Sequence, residues 1–293
     1  MWDLGCGILK PKKNIESHIP HLLLRICFVL LISNLVAASP RFGCTIGRKA
    51  RGVNDWGDIC GFISPTVGIK QAKGAVQMES FLILGAGRFG SLALQRILAR
   101  KKVSRLVVVD RDVHVLEKRR DQSVETVAQD AIDFLVHYQD LGSEWIVPAI
   151  PVHVAFAWLC RQLAREGAVT QRAVPSIFDQ KVPNSLRAKT GALYASFATF
   201  RCPDDCDEPE ESCTVTGEVR EANLFDVIRN IEVEGYVTLV VRSHQLAPGV
   251  GGYQLSVLWQ LLEEARSTEK DILVATACRC HGVINALRWE PTR

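Results

Sequence analysis

"FLILGAGRFGSLALQRILAR", Phe81–Arg100, is the stretch on which the reading of this chain turns. Phe81–Leu84 is an apolar run of strand length, bounded by glycine. Gly85-Ala86-Gly87-Arg88-Phe89-Gly90 follows and matches G-x-G-x-x-G. Ser91–Ala99 then has helical apolar spacing at Leu92, Ile97 and Leu98. In a strand–turn–helix each glycine has its own task. Gly85 permits the tight turn, Gly87 lets the backbone approach a pyrophosphate, and Gly90 lets the helix pack on the strand. The helix N-terminus offers N–H groups and a positive dipole end to the phosphates. A lone G-x-G-x-x-G is weak, but here a strand precedes it and a helix follows. The alternative is a bare strand–helix turn in an empty Rossmann-like fold.

The next segment extends the pattern. "RLVVVD", Arg105–Asp110, is a second buried strand, and its terminal acid lies 20 residues after Gly90. A carboxylate there accepts hydrogen bonds from the adenosine ribose, which favours NAD(H) over its 2′-phosphorylated form. Arg111, directly after, pulls the other way. Val113–Arg120 reads as a polar helix, Val124–Ala131 as a third strand ending at Asp130, and Glu144–Pro151 as a fourth. A helix at 153–165 follows, with Cys160 read as a small buried apolar group.

With "GAGRFGSLA", "VVVDRD" and "QDA" in hand, residues 81–150 resemble the nucleotide-binding RCK (KTN) domain of potassium-transport regulators. The resemblance implies a Rossmann unit holding NAD(H) through Gly85, Gly87, Arg88, Phe89, Gly90 and Asp110. It also implies that Asp130 borders the adenine pocket. Gln129 stands where the family has glycine. Neither the family's C-terminal ligand domain nor its membrane channel has a counterpart in this chain.

The second half poses a different question. "FRCPDDCDEPEESC", Phe200–Cys213, packs three cysteines among six acids. Acids hold thiol pKa values up, so this is a poor place for a lone thiolate. A bound cation reverses that logic by deprotonating its ligands. Cys202, Cys206 and Cys213 form C-x3-C-x6-C, and Cys278 and Cys280 form C-x-C about 65 residues later. Strands are expected at 192–200, 235–243 and 271–277, with helices at 222–230 and 254–266. Such alternation predicts parallel strands joined by right-handed crossovers. The cysteines and a glycine-rich loop, His244–Tyr253, would then lie past the strands' carboxyl ends, where open α/β sheets bind ligands. Four or more thiolates suit a cubane iron–sulfur cluster or tetrahedral zinc. Irregular spacing and Pro203 lean toward iron–sulfur, and reduced or disulfide-paired cysteines without metal are the third reading. His281 could ligate or donate to a sulfur. No catalytic triad, nucleophile elbow, Walker loop or H-E-x-x-H occurs; His244 and Tyr253 are the acid–base candidates worth testing, and neither is assigned a catalytic role.

Composition bounds the rest. The chain has 293 residues and ten cysteines, with a net charge of +3. Residues 1–77 hold ten Lys/Arg and four Asp/Glu, a balance of +6, which leaves −3 for residues 78–293. That excess of acid disfavours a nucleic-acid partner. Residues 1–77 lack sustained periodicity and contain Cys6, Cys27, Cys44 and Cys60. Their one apolar run, Ile26–Ala38, resembles a signal-peptide core and is short for a membrane span. The reading preferred here takes Met78 as the start and 1–77 as an upstream stretch; a signal or a disordered leader are the alternatives.

The expectation is therefore an α/β protein with a Rossmann-like, doubly wound, mainly parallel sheet. Residues 78–165 would form the dinucleotide unit, and 166–293 a second α/β segment with the cysteine cluster. The expected function is an NAD(H)-binding nucleotide or redox sensor of the RCK-like kind, cytoplasmic. A redox or membrane-transport protein is the expected partner, and homo-oligomerisation is left open. The rival functions are an NAD-dependent oxidoreductase feeding an iron–sulfur centre and a non-catalytic subunit braced by zinc.

Overall fold

A computed structural model describes residues 78–292 apart from 101, 120–122, 139–143 and 209. The leader and its four cysteines lie outside the described residues. The first strand, β1 (Glu79–Leu84), leads through the glycine turn into α1 (Arg88–Leu98). Then come β2 (Val103–Asp110), α2 (Val113–Glu117), β3 (Glu125–Ala128), α3 (Ala131–His137) and β4 (Trp145–Pro148). The four strands are parallel in the order β3-β2-β1-β4. Side-chain alternation explains why both faces are covered. Phe81 and Ile83 pack with α1 and α2, while Leu82 and Leu84 face an inner layer. Each fully buried side chain of this kind contributes about 1.5–3 kcal/mol.

That inner layer is shared. It holds α3, α4 (Val154–Leu163) and α7 (Leu255–Arg266). Beyond it lies a second sheet, ordered β6-β7-β12-β11-β8, with β5 also on β12. Its strands are β5 (Gly167–Arg172), β6 (Leu186–Arg187), β7 (Leu193–Ser196), β8 (Tyr236–Arg242), β11 (Asp271–Ala277) and β12 (His281–Pro291). Leu239, Val241, Ile272, Val274 and Leu287 from this sheet meet Leu82 and Leu84 in one core cluster. The outer face of the second sheet is covered by α5 (Ile177–Lys181) and α6 (Leu224–Arg229). Trp158 is fully buried in the inner layer, edge-on to Trp259 at 5.2 Å.

Two expectations need correction. The second sheet is not mainly parallel: β8 and β11 are, but β12 runs antiparallel to β11, β7 and β5. The reason is local. Cys278 N–H donates to the His281 carbonyl at 2.9 Å, so the chain reverses within the C-x-C stretch, and strands joined by so short a turn must be antiparallel. The glycine-rich loop 244–253 is instead a hairpin, β9 (His244–Ala247) and β10 (Val250–Gln254), turning at Gly249 with φ +63°. β10 pairs antiparallel with β4, so the hairpin extends the first sheet. Residues on both sides of position 165 contribute to one core cluster.

One buried polar group bolts the layers together. His153, at the N-cap of α4, sends its ring into the second sheet. Nδ1 lies 2.9 Å from Asn285 Oδ1, and Nε2 lies 2.9 Å from Thr276 Oγ1. With Asn285 accepting, Nδ1 carries the proton and Nε2 accepts from the threonine hydroxyl. Burial lowers the His153 pKa to about 4, with the Asn285 hydrogen bond opposing.

Candidate functional site

The glycine loop at the carboxyl end of β1 is pinned from both sides. Gly85, at φ +102°, donates its N–H to the Val109 carbonyl at 2.7 Å. Ala86 N–H donates to Asp110 Oδ2 at 2.6 Å, and Asp112 N–H donates to Asp110 Oδ1 at 2.9 Å. Asp110 therefore holds the loop, a role that the spacing rule does not anticipate. The three glycines differ in what surrounds them. A Cβ on Gly90 would sit 1.8 Å from the Gly85 carbonyl oxygen, so this glycine serves packing. A Cβ on Gly87 would meet nothing within 4 Å, leaving open space at the start of α1. That space is where a phosphate would approach a helix N-terminus. Arg88 is the first residue of α1, with its guanidinium 5.4 Å from the centre of the Phe89 ring. Asp130 caps α3, its Oδ1 accepting from Ile132 and Asp133 N–H at 2.9 and 3.1 Å. Gln129 N–H donates to the Asp110 carbonyl at 3.1 Å, joining the ends of β2 and β3.

The cysteine groups meet at the junction of the two sheets. Because β7 and β11 both oppose β12, and β8 parallels β11, strands β7, β8 and β11 end at one edge. A cavity of about 70 Å³ there is lined by Cys202, Cys206, Ser243, Cys278, Cys280 and His281, among others. This is below the roughly 300–1,000 Å³ of sites for drug-sized ligands. A wider cleft of about 340 Å³ shares Cys202, Cys206, Cys280 and His281 with it and adds Cys213 and Arg220. Hence all five sequence-selected cysteines line one space or the other, although Cys213 and Cys278 share neither. Their distant strands, rather than their spacing, bring them together.

His281 stands between two thiols: its Nε2 is 3.6 Å from Cys202 Sγ, and its Nδ1 is 3.8 Å from Cys278 Sγ. Cys278 Sγ also accepts the N–H groups of Cys280 and His281 at 3.5 and 3.3 Å. Arg220 donates to Cys280 Sγ at 3.0 Å. Glu208 Oε1 accepts from Arg279 N–H at 2.6 Å, bringing one loop acid to the C-x-C turn. Ser243 is 2% exposed, and its Oγ makes no hydrogen bond among the described residues. Sequence reading passed over Ser243, because its position where the chain leaves one sheet for the other has no local signature.

Thiol ionisation follows these surroundings. Burial pushes Cys278 well up, and Glu208 and Cys280 add to the effect. Burial raises Cys280 to about 11, opposed by the Arg220 charge. Around Cys213 burial is slight, and N–H groups of Thr216 and Val215, the Thr216 hydroxyl and Arg220 bring the pKa down. Cys160 is raised to about 12 by burial, as its packing against the shared core requires. No disulfide joins the described cysteines, and among the described residues no group of three or more His, Cys, Asp and Glu side chains is arranged to hold a metal ion. The acid–base candidates divide. Tyr253 is fully buried in the shared core, which raises its pKa, and its hydroxyl has no partner among the described residues. His244 lies edge-on to Trp145, and its pKa is lowered by burial, then by Arg242 and Arg279.

Comparison with known proteins bears on both halves. Residues 81–137 match the TrkA-N domain. The likeness to the RCK nucleotide-binding segment therefore holds for that stretch, and TrkA-N domains bind dinucleotides. Residues 155–290, from α4 through β12, match a family described as "Uncharacterized protein, C-terminal domain". An "Uncharacterized protein" of Archaeoglobus fulgidus is 29% identical over 220 residues, covering 71% of this chain and 98% of the relative. No solved structure matches. Among the described residues no helix is long and apolar enough to cross a membrane.

Proposed function

We propose that this protein binds NAD(H) at the Gly85–Gly90 turn and acts as a nucleotide or redox sensor of the RCK-like kind, with the thiol cluster as its second input. The observation that carries the reading is the contrast among the glycines. Gly90 is needed for packing, whereas Gly87 faces open space at the N-terminus of an eleven-residue helix. The TrkA-N match and the carboxylate of Asp110 support the same ligand. Arg88 and Phe89 would flank the phosphates, Asp110 would take the ribose, and Asp130 would border the adenine.

Gly87→Val is the direct test. Its Cβ meets nothing, so the thermal midpoint should stay at the wild-type value. NADH affinity, followed by fluorescence titration, should fall at least about tenfold, the equivalent of roughly 1.4 kcal/mol. Unchanged affinity would remove the nucleotide from this turn.

A finer reading concerns the cysteines. Backbone N–H groups on Cys278 Sγ, with His281 between Cys202 and Cys278, favour a soft metal ion or cluster. The thiols would have to draw closer to form a shell. Cys202, Cys206, Cys213, Cys278 and Cys280 are the proposed ligand pool, and iron–sulfur and zinc are the two occupants. Anaerobic purification with metal analysis and a visible spectrum separates them. A coloured, iron-containing protein supports an NAD-dependent oxidoreductase passing electrons to the cluster. A colourless, zinc-containing one supports a braced, non-catalytic subunit. Metal-free protein leaves the thiols themselves as the sensing groups.

A further inference from the structure

The Cys202–Cys206 loop is clamped onto the helix that begins at the glycine turn. Arg96, on α1, donates through Nη1 to the Asp204 carbonyl at 2.5 Å and to the Pro248 carbonyl. Arg88 Nη2 lies 3.3 Å from Asp204 Oδ2. On the other side, the Cys206 carbonyl accepts from Gly249 N–H at 3.0 Å and from Gln245 Nε2 at 2.6 Å. The approach is close enough that a Cβ on Gly249 would fall 1.8 Å from the Asp204 carbonyl oxygen. Helix α1 and the hairpin tip thus converge on two residues of the loop between the first two site cysteines, Asp204 and Cys206.

The two arginines are not equivalent. Arg96 binds main-chain carbonyls and is a fixed strut. Arg88 binds a carboxylate, and its side chain is 65% exposed, so it is free to swing. It also directly follows Gly87, the residue beside which a dinucleotide phosphate would lie. One guanidinium therefore has two anionic partners within its range, and it cannot satisfy both bidentately.

We propose that Arg88 is a shared arm, contested by the nucleotide phosphates and by Asp204, so that nucleotide occupancy and the accessibility of the Cys202–Cys206 thiols are coupled. This rests on the reading of the glycine turn as an NAD(H) site. A phosphate that recruits Arg88 takes this ion pair from Asp204 and so weakens one of the tethers of the loop between the two cysteines. An Asp204 that keeps Arg88 opposes nucleotide binding by the same factor, since equilibrium coupling is reciprocal. The ion pair is largely exposed, which limits the factor to about two- to fivefold.

Asp204→Asn in the full chain removes the charge and keeps the main-chain carbonyl that Arg96 holds. NADH titration should give two- to fivefold tighter binding than wild type. In parallel, alkylation of Cys202 and Cys206 by iodoacetamide is followed by peptide mass spectrometry with and without NADH. NADH should speed labelling two- to fivefold in wild type and leave it unchanged in Asp204→Asn. Equal NADH affinity in the two proteins, or labelling in wild type indifferent to NADH, overturns the coupling while leaving the nucleotide site standing. If wild type binds no NADH at all, the reading of the glycine turn fails and the coupling falls with it.

Discussion

Gly90→Ala is expected to abolish NADH binding and to destabilise the chain by about 3 kcal/mol, the upper part of the range for overpacking a close contact. The added Cβ would lie 1.8 Å from the Gly85 oxygen and 2.8 Å from the carbon that bears it, both main-chain atoms. Gly85 cannot yield. It sits at φ +102°, donates to Val109, and its own Cβ position is 2.7 Å from the Ala149 oxygen. The turn must therefore move as a unit, and the Ala86–Asp110 hydrogen bond moves with it. Denaturant titration with an NADH titration of the folded fraction measures both effects. A loss below about 0.5 kcal/mol with binding intact would show that α1 sits farther from β1 than this geometry requires. The pairing with Gly87→Val is informative, because a Cβ at Gly90 meets the Gly85 main chain whereas one at Gly87 meets nothing within 4 Å.

Acidification should remove a comparable amount of stability through one side chain. His153 is neutral when folded, with a pKa lowered from 6.5 to about 4 by burial. Between those values the unfolded chain binds the proton and the folded chain does not. Its contribution is thus complete above pH 6.5 and is lost as pH falls toward 4, amounting to about 3 kcal/mol over the interval. Carboxylates begin to titrate at the lower end, so the measurement is a difference. Stability against pH is compared for wild type and His153→Gln. The variant should be weaker at pH 7 and should show a flatter decline between pH 6.5 and 4. Parallel declines in the two proteins would mean that the imidazole titrates normally and that Thr276 and Asn285 do not hold it neutral.

The elements legible in the sequence are those with local causes. The turn at Gly85, the strands Phe81–Leu84 and Arg105–Asp110 and the helix after Gly90 are written in adjacent residues, because turn chemistry and apolar periodicity act over a few positions. The same holds for β8, α7 and β11, whose observed bounds lie within one residue of those expected. Asp110 was legible for its charge at the end of a strand. Its second bond, to Ala86 N–H, was not, since that depends on how the turn folds back over β2.

Contacts between distant segments decided the remainder. The apolar run of β12 suits a strand or a buried helix equally, and only its place between β11 and β7 resolves the choice. The glycines of the 244–253 stretch read as a loop past a strand's carboxyl end, but edge pairing with β4 makes them a hairpin of the first sheet. That crossing from one sheet to the other carries Ser243 into the thiol cavity and the hairpin tip onto Asp204. Nothing in the spacing of Cys206 tells where its carbonyl will be held, because Gln245 and Gly249 lie about 40 residues on. The sequence by itself determined a G-x-G-x-x-G turn between a strand and a helix and a set of thiols near strand ends. Only the tertiary structure decided which of those cysteines share a cavity and that α1 grips the loop between Cys202 and Cys206, for pairing and packing between segments far apart in sequence depend on the whole core and leave no local period to read.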